Sequence, residues 1–135
     1  LEPKKKMRRI TKCCKPLFEY LSRPFSEHRE VIEANRETMK GYILGFVDGD
    51  GSRPTVTEWN YRYFTVTNSD KDRLEYVKSL LQRLDVHVTG PYKAYSAGRV
   101  TVIRGQKVVV RKDGWKLVVN YEDFTVNIGV SIKFL

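Results

Sequence analysis

Gly41-Tyr42-Ile43-Leu44-Gly45-Phe46-Val47-Asp48-Gly49-Asp50-Gly51-Ser52 is the stretch on which the reading of this chain turns. It opens as an apolar run and closes on two carboxylates separated by one glycine. Gly41, Gly45 and Gly49 recur every fourth residue, which puts them on one face if the run is helical. Each glycine inside a helix costs about 1 kcal/mol against alanine, so three of them need an offsetting gain. A glycine face supplies one, because another backbone can approach it closely. The run is far shorter than the roughly 20 apolar residues that a membrane span requires. The expected partner is a second helix in water, with the acidic end at the foot of the contact.

The flanking sequence supports a helix there and suggests what surrounds it. Asn35 is a good N-cap and Arg36-Glu37-Thr38 opens the helix; Gly49 to Gly51 end it. Two alternating segments follow, Pro54 to Glu58 and Tyr61 to Thr67, joined through Trp59-Asn60 as a hairpin. Phe64 and Val66 share an apolar side, and Thr, Tyr and Arg share the other. Ser69-Asp70-Lys71-Asp72 caps a helix over about 70–84, where Leu74, Val77, Leu80, Leu81 and Leu84 fall at helical spacing and read as core. The last third reads as strands at Pro91 to Tyr95, Arg99 to Arg104, Lys107 to Arg111 and Trp115 to Asn120. Asp113-Gly114 is expected to be a two-residue hairpin turn. Tyr121 to Asn127 reads as a short helix. Ahead of the motif, Pro16 to Arg23 reads as a short helix ended by Pro24, and residues 25–34 as strand or loop. The order is mixed α+β.

Length and charge set limits. The 135 residues suit one domain, expected at 16–135 behind a basic N-terminal arm at 1–15. Lys and Arg number 25 against 16 Asp and Glu, for a net charge of +9, which points to a polyanionic partner, most simply nucleic acid. Residues 1–15 alone hold seven basic residues and one acid, so the arm is either a solvated tail or a contact to phosphates. Leu1-Glu2-Pro3 lacks an initiating methionine and reads as an added lead-in. Cys13 and Cys14 are adjacent with no third cysteine, and His28 and His87 are isolated, so neither a disulfide framework nor a zinc site is expected. Nothing reads as a signal peptide or membrane span. The expected location is intracellular and not secreted: the cytoplasm or nucleoid of a prokaryote, or an organelle.

The nine residues Ile43 to Gly51 resemble the LAGLIDADG signature. Ile43 and Leu44 take the first two apolar positions, Gly45 the glycine, Phe46-Val47 the apolar pair, and Asp48-Gly49-Asp50-Gly51 the acidic end. Over residues 36–133 the order of elements is similar to that of the single-motif LAGLIDADG homing endonucleases. The resemblance implies an αββαββ-type half-saddle with an antiparallel DNA-binding sheet. Two copies would form a homodimer through the motif helix, seamed at Gly41, Ile43, Leu44, Gly45 and Asp48. It implies an intron-encoded or intein-like enzyme that hydrolyses two phosphodiesters of double-stranded DNA across the minor groove, leaving 3′ overhangs at a pseudo-palindromic site.

The same resemblance assigns roles. Asp50 would bind a catalytic Mg²⁺ with the Gly49 carbonyl; Mn²⁺ would be tolerated, and Ca²⁺ would bind without supporting cleavage. Asp48 would be a structural acid, capping the partner helix end. Lys133 would stabilise developing charge. Asn68, where the family carries glutamine, would order water. The chain stops at Leu135, where the family continues into further helix. The polar sheet face would lie in the DNA major groove, whose base edges carry a full donor and acceptor code, through Arg53, Thr55, Thr57, Tyr61, Tyr63, Thr65, Lys93, Tyr95, Arg99, Thr101 and Arg104, with Arg62, which breaks the alternation, touching only phosphate. Two alternatives remain open: a LAGLIDADG-type RNA maturase or non-cleaving DNA-binding protein, and a basic structural RNA-binding domain in which the acidic stretch is only a turn.

If the arm contacts phosphates, removing residues 1–12 weakens binding to every duplex and flattens the dependence of affinity on salt, measured by titration at several ionic strengths. A loss confined to one sequence would mean that the arm reads bases.

Overall fold

The computed structural model describes residues 15–135. Most of the basic arm, with Cys13 and Cys14, lies outside the described residues. The chain divides into two compact units between Asn35 and Arg36. Within the first unit, α1 spans Lys15–Leu21 and α2 spans Phe25–Ile32. The expectation of strand or loop at 25–34 is therefore corrected. Here the polar residues make helix-supporting pairs one turn apart, with Arg29 Nε 3.4 Å from Glu33 Oε2. Tyr20 meets His28 edge to face at 4.9 Å, which joins the two helices of this unit.

The second unit is a four-stranded sheet with helices packed on one side, and a separate two-stranded hairpin. α3 (Arg36–Asp50) is the motif helix, followed by β1 (Thr55–Val56), β2 (Arg62–Asn68) and α4 (Lys71–Arg83). Then come β3 (Val88–Tyr95), β4 (Val100–Ile103), β5 (Gln106–Val109), β6 (Gly114–Asn120) and α5 (Tyr121–Asn127), and a 3₁₀ turn at Ile132–Phe134 closes the chain. The four-stranded sheet has the order β1-β2-β6-β3, antiparallel at each junction. This is the expected αββαββ pattern with a two-stranded insert. β4 and β5 pair only with each other, so Asp113-Gly114 is not a hairpin turn between neighbours. Instead the Asp113 carboxylate accepts from the Ala97 N–H at 2.7 Å, holding the foot of the insert. That bond, with help from Lys93, keeps its carboxyl below the usual range. The tight turn falls at Arg104-Gly105, where both φ values are positive (52° and 79°).

Alternation and helical periodicity decide what is buried. Phe64 and Val66 of β2 and Leu117 and Val119 of β6 point to the helices and are fully buried. Leu74, Val77, Leu80 and Leu81 from α4, and Ile43 and Val47 from α3, are fully buried as well, where these helices pack on the sheet. Each such side chain contributes about 1.5–3 kcal/mol of transfer free energy. Phe64, Phe124 and Phe134 form an aromatic cluster, with ring centroids 4.8–5.7 Å apart. Among the described residues, no helix is long and apolar enough to cross a membrane.

α3 carries two stripes. Met39, Ile43 and Val47 recur every fourth residue and are buried. Gly41, Gly45 and Gly49 follow the same spacing two residues later, about 200° round the helix. They are exposed, and a methyl built on any of them meets nothing within 4 Å. Ile43 is 0% exposed in the protomer's own core; its expected place in a helix seam is corrected, because the apolar and glycine stripes face opposite ways. Gly51 is different. A Cβ there would stand 2.5 Å from the Val47 carbonyl oxygen and 2.8 Å from its Cγ1.

Gly51→Ala should therefore destabilise the fold by about 1–3 kcal/mol, read from urea unfolding. An unchanged midpoint would show that the end of α3 yields freely.

Candidate functional site

The end of α3 is tied to the sheet by backbone and side chain together. Gly51 bridges to Val66. The Ser52 N–H donates to the Thr65 carbonyl at 2.9 Å, and the Ser52 hydroxyl accepts from the Thr65 N–H at 3.0 Å. This lock holds the acidic pair against the edge of β2. Ser52 was not among the residues expected to matter; its position directly after Asp-Gly-Asp-Gly was the available signal.

The two acids have separate surroundings. Asp50 is exposed, and its Oδ2 accepts from Asn68 Nδ2 at 2.8 Å. The Asn68 Oδ1 in turn accepts from the Asp70 N–H at 2.8 Å, so Asn68 also opens the turn into α4. Asn68 thus lies against Asp50. Asp48 is half-buried and engaged within its own chain. Its Oδ1 accepts from the Ser131 hydroxyl at 2.6 Å and from the Ile132 N–H at 3.2 Å. The cap expected on a partner helix is, in the protomer, a cap on the 3₁₀ turn that carries Lys133.

The donors at Asp50 suit a hard cation. One carboxylate oxygen remains beside the oxygen bound by Asn68. The carbonyl of Gly49 lies in the last turn of α3, where carbonyls have no partner within the helix. Mg²⁺ commonly uses one or two carboxylates and completes its shell with water and substrate phosphates. Among the described residues, no group of three or more His, Cys, Asp or Glu could hold a metal ion alone. The set fits a cation shared with a phosphate and not a closed protein cage.

Register defines the face of the sheet away from the helices. Tyr63, Thr65 and Thr67 of β2 stand opposite Asn120, Val118 and Lys116 of β6. Thr55 of β1 pairs with Tyr63, and Thr89, Tyr92 and Tyr95 of β3 pair with Val118, Lys116 and Gly114. This surface holds hydroxyls, an amide and one ammonium, with no carboxylate. Thr55, Tyr63, Thr65 and Tyr95 were expected there. Thr67 was read on this side without being named as a contact; Thr89, Tyr92, Lys116, Val118 and Asn120 were missed, because the sequence did not reveal that β6 sits at the centre of the sheet.

Two expected DNA contacts point the other way. Arg62 follows the parity of buried Phe64; its Nε donates to Glu122 at 2.7 Å, and its guanidinium lies 4.6 Å from the Tyr121 ring centre. Lys93 pairs in register with Trp115 and reaches Asp113 at 3.4 Å. Lys93 thus lies on the helix side and not on the outward face expected of it, and Arg62, whose position breaks the alternation in the sequence, lies there too. Tyr61 and Thr57 form the β1–β2 turn, where the Thr57 N–H donates to the Tyr61 carbonyl and the Tyr61 ring stacks on Tyr63 at 6.3 Å. Arg53 is exposed ahead of β1. Arg99, Thr101 and Arg104 lie on the β4–β5 insert, which carries five basic residues and no acid between Ser96 and Lys112. Lys71, also unforeseen, stands 4.6 Å over the ring of Trp115, the residue opposite Asn68.

Known proteins resemble this chain in sequence and in fold. An uncharacterised protein of Methanocaldococcus jannaschii is 29% identical over 120 residues, covering 89% of this chain and 41% of the relative. The chain thus spans about two fifths of the length of that curated relative. A solved structure of an archaeal intron-encoded homing endonuclease complexed with DNA is 20% identical and covers 67% of this chain and 52% of its own, with a TM-score of 0.33. The family model for a LAGLIDADG-like domain matches residues 37–122, from the first turn of the motif helix to the first turn of α5. That match takes in the acidic helix end and the whole four-stranded sheet, and the chain belongs to the LAGLIDADG family.

Proposed function

We propose that the chain is a homodimeric, site-specific double-strand DNA endonuclease, dependent on a divalent cation and encoded within an intron or intein-like element. The observation that carries this reading is the contact of Asp50 with Asn68 at one end of a sheet whose open face has no carboxylate. A face of threonine, tyrosine and asparagine side chains suits the hydrogen-bonding edges of the major groove. The Arg and Lys of the insert supply phosphate contacts that position the protein.

Asp50 and the Gly49 carbonyl hold the cation, with Mg²⁺ preferred, Mn²⁺ accepted and Ca²⁺ bound without turnover. Such a cation, once bound, polarises the scissile phosphate and lowers the pKa of the attacking water. Asn68 keeps the Asp50 carboxylate oriented and presents its amide to ordered water. Lys133 offsets charge that builds on the phosphate. Two protomers meet on the open stripe of Gly41 and Gly45, bringing two Asp50 residues to opposite strands of a pseudo-palindromic duplex. Cleavage across the minor groove then leaves 3′ overhangs. The protein works inside the cell, where its DNA is.

Digestion of a random duplex library with Mg²⁺, followed by sequencing of the cut ends, reads activity, overhang and site symmetry together. On the site so found, Asp50→Asn should abolish cleavage and leave duplex binding within about threefold; an equal loss of binding would assign Asp50 to folding instead. Binding without any cut by the native chain would favour a DNA-binding or RNA-maturase role.

The seam has its own test. Gly45→Leu overfills the stripe and should turn the dimer into a monomer by light scattering. A dimer that persists would place the seam elsewhere.

A further inference from the structure

We infer that Ser131 is a positioning residue that couples the first acid of the motif to Lys133; the inference rests on the endonuclease reading for its effect on cleavage. Ser131 is 0% exposed. Its hydroxyl donates its one proton to Asp48 Oδ1 at 2.6 Å and accepts from the Lys133 N–H at 3.1 Å. Asp48 Oδ1 also accepts from the Ile132 N–H at 3.2 Å. Three consecutive residues are thereby fastened to the last turn of α3, two positions before Asp50. The other end of the turn is fastened separately, where Phe134 packs on Phe64 at 4.8 Å and on Tyr121 at 5.1 Å. Lys133 lies between these two anchors. Its backbone is held to the helix that presents Asp50 through the serine hydroxyl, and to the sheet through the phenylalanine ring.

This arrangement gives the motif's two acids linked tasks. Asp50 faces the reacting phosphate. Asp48 acts through Ser131 on the lysine that meets the same phosphate from the opposite end of the chain. Small displacements of a reacting group cost up to about a hundredfold in rate. Removing the serine hydroxyl should slow the chemical step and leave DNA affinity unchanged.

The test is a cycle of Ser131→Ala, Lys133→Met and the double variant, read by single-turnover cleavage and duplex affinity, with amide exchange at Lys133 measured alongside. Ser131→Ala should slow cleavage by about tenfold to a hundredfold at constant affinity. In the Lys133→Met background it should do nothing further. Ser131→Ala should also expose the Lys133 amide to faster exchange while the Leu117 and Val119 amides stay protected. Additive rate effects, or an unchanged Lys133 amide, overturn the inference. Global loss of amide protection in Ser131→Ala would make the serine a folding residue and overturn it equally. Failure of the native chain to cut any duplex sinks the endonuclease reading; the exchange at Lys133 then still decides whether Ser131 holds that backbone.

Discussion

Everything in the second unit depends on the two-sidedness of α3. Met39, Ile43 and Val47 pack into the core, while Gly41, Gly45 and Gly49 stand open on the opposite side. One stripe anchors the helix by apolar burial. The other forgoes about 1 kcal/mol of helix propensity per glycine and keeps a smooth backbone surface. Were the apolar stripe weaker, the glycines would leave α3 only marginally helical. Were the glycines replaced by bulky residues, the open face could not be approached closely. The acidic end inherits its position from this compromise, because the same helix that is pinned by Val47 delivers Asp48 and Asp50 within the next turn.

The acidic end also shows how a short motif is divided by its neighbours. Asp48 looks toward the 3₁₀ turn and is consumed by two donors from the chain terminus. Asp50 looks toward β2, where Asn68 takes one of its oxygens. A carboxylate with two hydrogen bonds, one of them from a fully buried hydroxyl, is a brace. One with a single amide partner and an exposed face keeps capacity for a ligand. The division arises from packing on opposite sides of the helix end, not from any chemical difference between two aspartates.

Much of the architecture was legible in local pattern. The Tyr121–Asn127 helix, the Asp70 cap and the leucine stripe of α4 were expected, because each depends on residues within a turn or two of one another. The failures have physical causes. α2 has a thin apolar stripe and is held by charge pairs one turn apart, so periodicity gave little signal. Lys93 reads as outward-facing, yet the register shifts of β3 put it opposite Trp115 and beside Asp113. β5 and β6 read as neighbours along the chain, but β6 pairs with β2 and β3 and leaves β5 to its hairpin partner.

The sequence by itself determined the family motif, the helix that carries it and the spacing of glycines and acids, since these are properties of adjacent turns. Only the tertiary structure decided what each acid touches. Asp50 meets a residue 18 positions away and Asp48 one 83 positions away. It also decided which side of the sheet is free of carboxylates, which follows from β6 inserting between β2 and β3. Contacts at that separation depend on strand order and register, and those are settled by how the whole core packs.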